Sequence, residues 1–133
     1  MALPIRLRGK QRFDQKRVRL VADRAIVNGL GHAGALIRKI ARQSIKPGAK
    51  ASAAGQPPHT RRGQLKRAIL FTVERKAERV VIGPAAEMVG DSGKAHEFGG
   101  LFRGQRYPIR PFMRPALDES LPRLPAFWRT SVK

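Results

Sequence analysis

The sequence predicts an α+β fold in which a long N-terminal helix and a C-terminal helix pack on a small, mainly antiparallel β-sheet, with a long mobile basic loop between helix and sheet. Three observations lead there. Apolar residues recur at intervals of three and four between Val18 and Ala41, the spacing of one helix face. Two runs, Leu65 to Val73 and Arg79 to Ile82, flank the charged turn Glu74 to Glu78, and the second is rich in β-branched residues, as strands are. A proline-bearing segment from Tyr107 to Pro115 then leads into Ala116, Leu117 and Leu121, a second helical pattern.

At 133 residues the chain is expected to form a single domain over 1–133 with one core. It has no cysteine, so neither a disulfide framework nor a thiolate metal site is expected, in keeping with assembly in a reducing cytoplasm. No apolar run approaches the roughly 20 residues that span a bilayer, and the basic start is not followed by the apolar core of a signal peptide. A soluble protein with no membrane partner is the expectation.

Residues 1 to 13 are basic and lack apolar periodicity, so they read as an arm that orders on a partner. Asp14 is placed to cap the helix that follows. One helix is expected over residues 15 to 45, bent or closely packed at Asn28-Gly29-Leu30-Gly31, because each glycine costs about 1 kcal/mol against alanine in a helix interior. Lys46-Pro47-Gly48 ends it. Residues 46 to 64, with Gly55, Pro57 and Pro58, form a loop longer than compact domains usually carry without a function. After the strand pair, Gly83-Pro84 closes the second strand, Ser92 opens a short helical turn reaching Phe98, and Gly99-Gly100 breaks it. A third strand is expected at Leu101 to Phe102 or in the proline segment. Pro108, Pro111 and Pro115 remove backbone donors and restrict φ, so that segment is a rigid strap, not a central strand or a helix interior. Pro115 opens the last helix, which runs to about Trp128 with a disturbance at Pro122 and Pro125.

The formal net charge is +19. Residues 1 to 66 contain 16 Lys or Arg against Asp14 and Asp23, a net of +14, and residues 67 to 133 contain 12 against 7, a net of +5. The excess sits on the arm, the first helix and the loop, and favours a polyanion or an acidic protein surface as partner. Lysine and arginine contacts to phosphate give affinity without reading sequence. Stacking on single strands also needs aromatic side chains, and Phe71, Phe98, Phe102, Tyr107, Phe112, Phe127 and Trp128 lie in the other half.

For chemistry, His96 and Glu97 near Asp91 are the cluster to weigh. The helical zinc pattern needs a second histidine four residues after the first, and that position is Gly100. Gly29-Leu30-Gly31-His32-Ala33-Gly34 lacks the preceding strand of a dinucleotide site. Serine and threonine nucleophiles have no placed base. The expectation is therefore no catalysis, no cofactor and no metal. His96 is expected to pack or hydrogen-bond, and Glu97 to pair with an arginine of the strap, Arg110, or of a neighbouring subunit, since a buried unpaired carboxylate is costly.

Taken together, Gly63-Gln64-Leu65-Lys66-Arg67-Ala68-Ile69, Val80-Val81-Ile82-Gly83-Pro84, Glu97-Phe98-Gly99 and Arg110-Pro111-Phe112 resemble, in order and spacing, the tail-completion family of long-tailed bacteriophages. Its members are also described as minor tail or neck proteins, and its relatives include the Z-type minor tail proteins. The family order is a long helix, a mobile loop ending in a Thr-Gly-x-Leu-like turn, a strand pair, a Glu-Phe-Gly segment, an Arg-Pro-Phe strap and a final helix. All of these parts occur here between residues 15 and 128, with Arg62-Gly63 where the family often has Thr-Gly. The resemblance implies a virion structural protein at the head-to-tail junction, assembled in the host cytoplasm. It would form a closed homo-oligomeric ring, a hexamer by family likeness, between the head-closure or adaptor ring and the tail tube or tail terminator, with contact to packaged DNA left open. The residues expected at interfaces are Lys46, Lys50, Arg61, Arg62 and Lys66 from the loop side, and Glu97, Phe98, Arg110, Phe112 and Arg114 from the strap side. The rivals are a small basic nucleic-acid-binding protein and a ribonuclease-type toxin using His96 and Glu97 as acid and base.

Overall fold

The computed structural model describes residues 14–129, so the basic arm expected over residues 1 to 13 lies outside the described residues. The first helix, α1, runs without a break from Gln15–Ser44. The Asp14 side chain accepts a hydrogen bond from the Arg17 N–H at 3.2 Å, which satisfies one donor of the first turn. The glycines inside the helix are close-packing sites. A Cβ on Gly29 would stand 2.8 Å from the Trp128 indole, and one on Gly34 would stand 2.6 Å from the Phe71 ring. Two elements thus press on α1 at positions where any side chain would hold them off.

Behind the loop, Gln64–Ala68 form a short helix, α2, and β1 covers Ile69–Glu74. The strand expected from Leu65 therefore begins four residues late. Gly63 adopts φ 71° and its N–H donates to Thr60 Oγ1 at 3.0 Å, a turn that launches a helical segment. Leu65, Ala68 and Ile69 are all buried, so the three-and-four spacing wins over alternation. The second strand, β2, covers Arg79–Pro84 and pairs antiparallel with β1, Phe71 opposite Ile82 and Val73 opposite Val80. These pairs turn toward α1, while Leu70 and Val81 remain exposed on the other face.

Two short helices follow: α3 at Ala86–Val89, which the sequence reading did not foresee, and α4 at Ser92–Phe98, which it did. Gly99 and Gly100 end α4 at positive φ, 72° and 115°, where a side chain would be strained. The next strands, β3 at Gly100–Phe102 and β4 at Gln105–Tyr107, form their own antiparallel hairpin. The single sheet expected is therefore two separate two-stranded sheets. The β3–β4 hairpin turns through Arg103 and Gly104, both at positive φ, the conformation that matches strand twist, and Pro108 then ends β4 because it has no N–H to donate.

The C-terminal part is helix α5, Met113–Ser120, a 3₁₀ turn at Leu121–Arg123 and helix α6, Leu124–Arg129. The disturbance expected at Pro122 is that 3₁₀ turn. The core joins α1, α2, β1 and α5 through Ile37, Ala41, Ile45, Leu65, Ile69, Phe112 and Ala116. Phe112 is the largest fully buried side chain among the described residues, and truncating such a ring costs about 3–5 kcal/mol.

Candidate assembly interface

The first four N–H groups of a helix have no partner within it. In α5 these belong to the cap Phe112, then Met113, Arg114 and position 115. Both Phe112 and Met113 donate to Glu97 Oε2 at 2.9 Å, and Arg114 donates to Glu97 Oε1 at 2.9 Å. The fourth residue is Pro115, which has no N–H. One carboxylate and one proline therefore account for all four, and the negative charge sits where the helix dipole favours it.

This geometry corrects the expected Glu97–Arg110 ion pair. Both Glu97 oxygens are turned to the α5 backbone, and Arg110 instead donates through Nε to the Ser52 carbonyl at 2.8 Å. The backbone beside it is held on both sides. Gly55 N–H donates to the Ile109 carbonyl at 2.7 Å, and Arg110 N–H donates to the His96 carbonyl at 2.6 Å. Strap, loop and α4 are thus one hydrogen-bonded junction.

The loop itself is folded back on the chain. Gly48 N–H donates to the Thr60 carbonyl at 3.2 Å, and Thr60 N–H donates to the Lys46 carbonyl at 3.0 Å, forming an isolated parallel bridge between Pro47 and Thr60. The His59 ring lies 3.0 Å from the Lys50 carbonyl, and Arg61 Nε donates to the Ala49 carbonyl at 3.2 Å. Ser52 and Pro58 are buried. The backbone polar groups of a proline- and glycine-bearing segment have found partners across the loop and on the strap, which composition alone does not reveal.

Of the residues expected at interfaces, Lys46, Lys50, Arg61, Arg62, Phe98 and Arg114 are exposed, and Lys66, Glu97 and Arg110 are half-buried. Phe112 is corrected to a core residue, since it is 0% exposed and has no surface to offer a neighbour. Arg114 forms an ion pair with Asp118 one turn on, at 3.2 Å, a surface pair of small energetic weight. Around the junction, Phe98 is 71%, Leu101 74% and Ile109 55% exposed. Leu101 and Ile109 were not singled out as interface positions, although an apolar residue between two strap prolines was a signal that it must meet some surface.

His96 is half-buried with its ring edge-on to Tyr107, centroids 5.4 Å apart. Burial, and secondarily the Arg110 guanidinium, lowers its pKa below the ordinary histidine value. Its Nδ1 has no hydrogen-bond partner among the described residues. An acid–base pair would need Glu97 free, and here both its oxygens accept from backbone. Among the described residues no cluster of His, Cys, Asp and Glu could hold a metal ion, and no helix is long and apolar enough to cross a membrane. Set beside known protein families, curated proteins and solved structures, the chain matches none.

Proposed function

We propose that this chain is a virion structural protein of the head-to-tail junction of a tailed phage, a tail-completion or neck protein that acts by forming a homo-oligomeric ring and docking to neighbouring rings. The observation that carries the reading is the exposed apolar rim of Phe98, Leu101 and Ile109 around a polar junction that fixes the backbone beneath it. Small monomeric proteins seldom cluster large exposed apolar groups on a rigid frame without a partner, and a second copy of the chain is the partner proposed. The Glu97 contact also gives a physical reason for the joint presence of Glu-Phe-Gly and Arg-Pro-Phe: the first supplies the cap, the second the helix start.

Native mass measurement and negative-stain imaging of the purified protein test this reading. Closed rings of one size are expected, and Phe98→Asp with Leu101→Asp should give monomers that keep the parent's far-UV circular dichroism spectrum and melt cooperatively, below the ring. A parent that stays monomeric at high concentration, or a double variant that still forms rings, refutes it.

A further inference from the structure

We infer that the solvent face of α1, continued by the β1–β2 turn, binds the phosphate backbone of duplex nucleic acid without reading its sequence. At about 100° per residue, Arg17, Arg24 and Arg42 fall within about 20° of one line along the helix, opposite the buried Ala25, Gly29, Ala33, Leu36 and Ile37. Arg38 and Lys39 flank that line. From Arg17 to Arg42 the stripe runs about 38 Å at 1.5 Å per residue, close to one turn of duplex DNA, about 34–36 Å.

Its middle, residues 25 to 37, carries no Lys or Arg. There the hairpin turn brings in Arg75, which lines one cleft with Arg24 and another with Asn28, Gly31 and Val73. Space above Gly31 is open. The second cleft has no acidic residue in its lining and Arg75 as its cation, and the open space at Gly31 lets a sugar-phosphate strand come close.

The cations of this face are also unspent. The two ion pairs found among the described residues are Arg79–Glu74 and Arg114–Asp118, and neither uses a residue of the stripe. Asp23 and Glu78 border the first cleft without pairing there. Arg38, half-buried, donates Nε to the Ile69 carbonyl at 2.9 Å, a single neutral partner that leaves its charge uncompensated. The rings that touch α1 are occupied: Trp128 lies on Gly29, Phe71 on Gly34, and Phe127 stacks on His32 at 5.5 Å. The face has cations without a stacking platform, which suits a duplex backbone and not splayed single-stranded bases. This inference does not depend on ring formation.

The test is fluorescence anisotropy of the full chain with a labelled, mixed-sequence DNA duplex over a salt series. With about five phosphates neutralised, log K should fall with log salt at a slope of about −4 to −5. The exposed-residue variant Arg24→Gln, Lys39→Gln, Arg75→Gln should bind more than about tenfold more weakly and lose about 3 from the slope. A control of equal charge loss on the strap side, Arg103→Gln, Arg106→Gln, Arg114→Gln, should stay within about twofold of the parent. Circular dichroism melting verifies that both variants fold. Unlabelled duplex RNA competing like duplex DNA would support a backbone reader that accepts either duplex. Absence of binding at low salt, equal loss in both variants, or single-stranded DNA competing as well as duplex would overturn the inference, the first leaving an acidic protein as the partner of this face.

Discussion

Replacing Glu97 probes the contact on which the strap and the last helices depend. In Glu97→Ala the N–H groups of Phe112, Met113 and Arg114 lose their acceptor. The Arg114 bond is exposed and water can replace it, whereas those of Phe112 and Met113 are part-buried. Leaving a buried donor unmade costs about 1–3 kcal/mol, so two of them cost about 2–6 kcal/mol, and loss of the charge at the helix N-terminus adds about 0.3–1 kcal/mol. Water entering the space vacated by the side chain pulls the sum toward its lower end, about 3 kcal/mol, against a total stability of about 5–15 kcal/mol for a domain.

A loss of that size lowers the melting temperature by about 10 °C in a chain of this length. Glu97→Gln retains the shape and one acceptor oxygen but points an amide donor at the remaining N–H, so its drop should be smaller, about 1–2 kcal/mol. Glu97→Asp retains the charge and shortens the reach by one methylene, and should resemble alanine more than glutamine. Circular dichroism melts of the three variants at one protein concentration are the measurement. If Glu97→Ala melts within about 2 °C of the parent, the carboxylate is not holding α5, and the account of the strap as a capped helix start fails.

Other expected outcomes test the packing, the loop and the buried ring. Gly34→Ala should destabilise by about 1–3 kcal/mol, because its Cβ would meet Phe71 and Val80. Gly31→Ala, facing open space, should instead stabilise by up to about 1 kcal/mol, and a reversed order in thermal melts would refute the packing argument. Arg110→Ala removes the side-chain tie to Ser52, so limited trypsin digestion should cut at Lys50, Arg61 or Arg62 faster than in the parent, and equal rates would show that the tie does not restrain the loop. For His96, whose pKa burial lowers from 6.5, both states are neutral well above pH 6.5. As pH falls through that value the unfolded chain takes up a proton that the folded chain resists, so stability drops until the lowered folded pKa is passed. The melting temperature of His96→Gln should depend less on pH below 6.5 than that of the parent, and equal slopes would exclude His96 as the source.

The long helix, the hairpin, the α4 turn and the disturbed last helix were legible because each rests on local pattern: periodicity over α1, β-branched residues in β2, glycines after Phe98 and prolines near Leu121. What sequence could not supply was the choice among partners. Gly29 and Gly31 were ambiguous between a bend and a close approach: Trp128 lies against Gly29, Gly31 faces open space, and the further close approach is at Gly34, against Phe71. Leu65 to Ala68 read as strand because apolar content was visible and the Thr60–Gly63 turn geometry was not. Glu97 was recognised as a carboxylate needing a partner, but arginine side chains are the partners a sequence displays, whereas backbone N–H groups at a helix start become available only once the helix position is known. Composition marked the loop as long and basic, but not its hydrogen bonds, two of which depend on the strap, some fifty residues away.

The strap divides its apolar residues by the backbone contacts on either side of them. Phe112 carries the first of the N–H groups capped at the start of α5, so the Glu97 carboxylate that fixes its backbone also directs its ring into the core. Three residues earlier, Ile109 has its carbonyl taken by Gly55, and the next N–H is taken by His96. Its backbone is held from both sides while its side chain stays outside. Gly99 allows this close approach, since a Cβ there would stand 3.0 Å from Ile109 Cγ1 and 3.2 Å from the Tyr107 carbonyl oxygen. Polar links therefore do here what apolar burial does in the core: they set the position of Ile109, with Phe98 and Leu101 beside it, before any partner arrives. A surface ordered in advance loses less side-chain and loop entropy on docking. The proposed assembly should accordingly be weakened by changes at Arg110 or Gly99, which hold the rim in place, as well as by changes to the rim residues themselves.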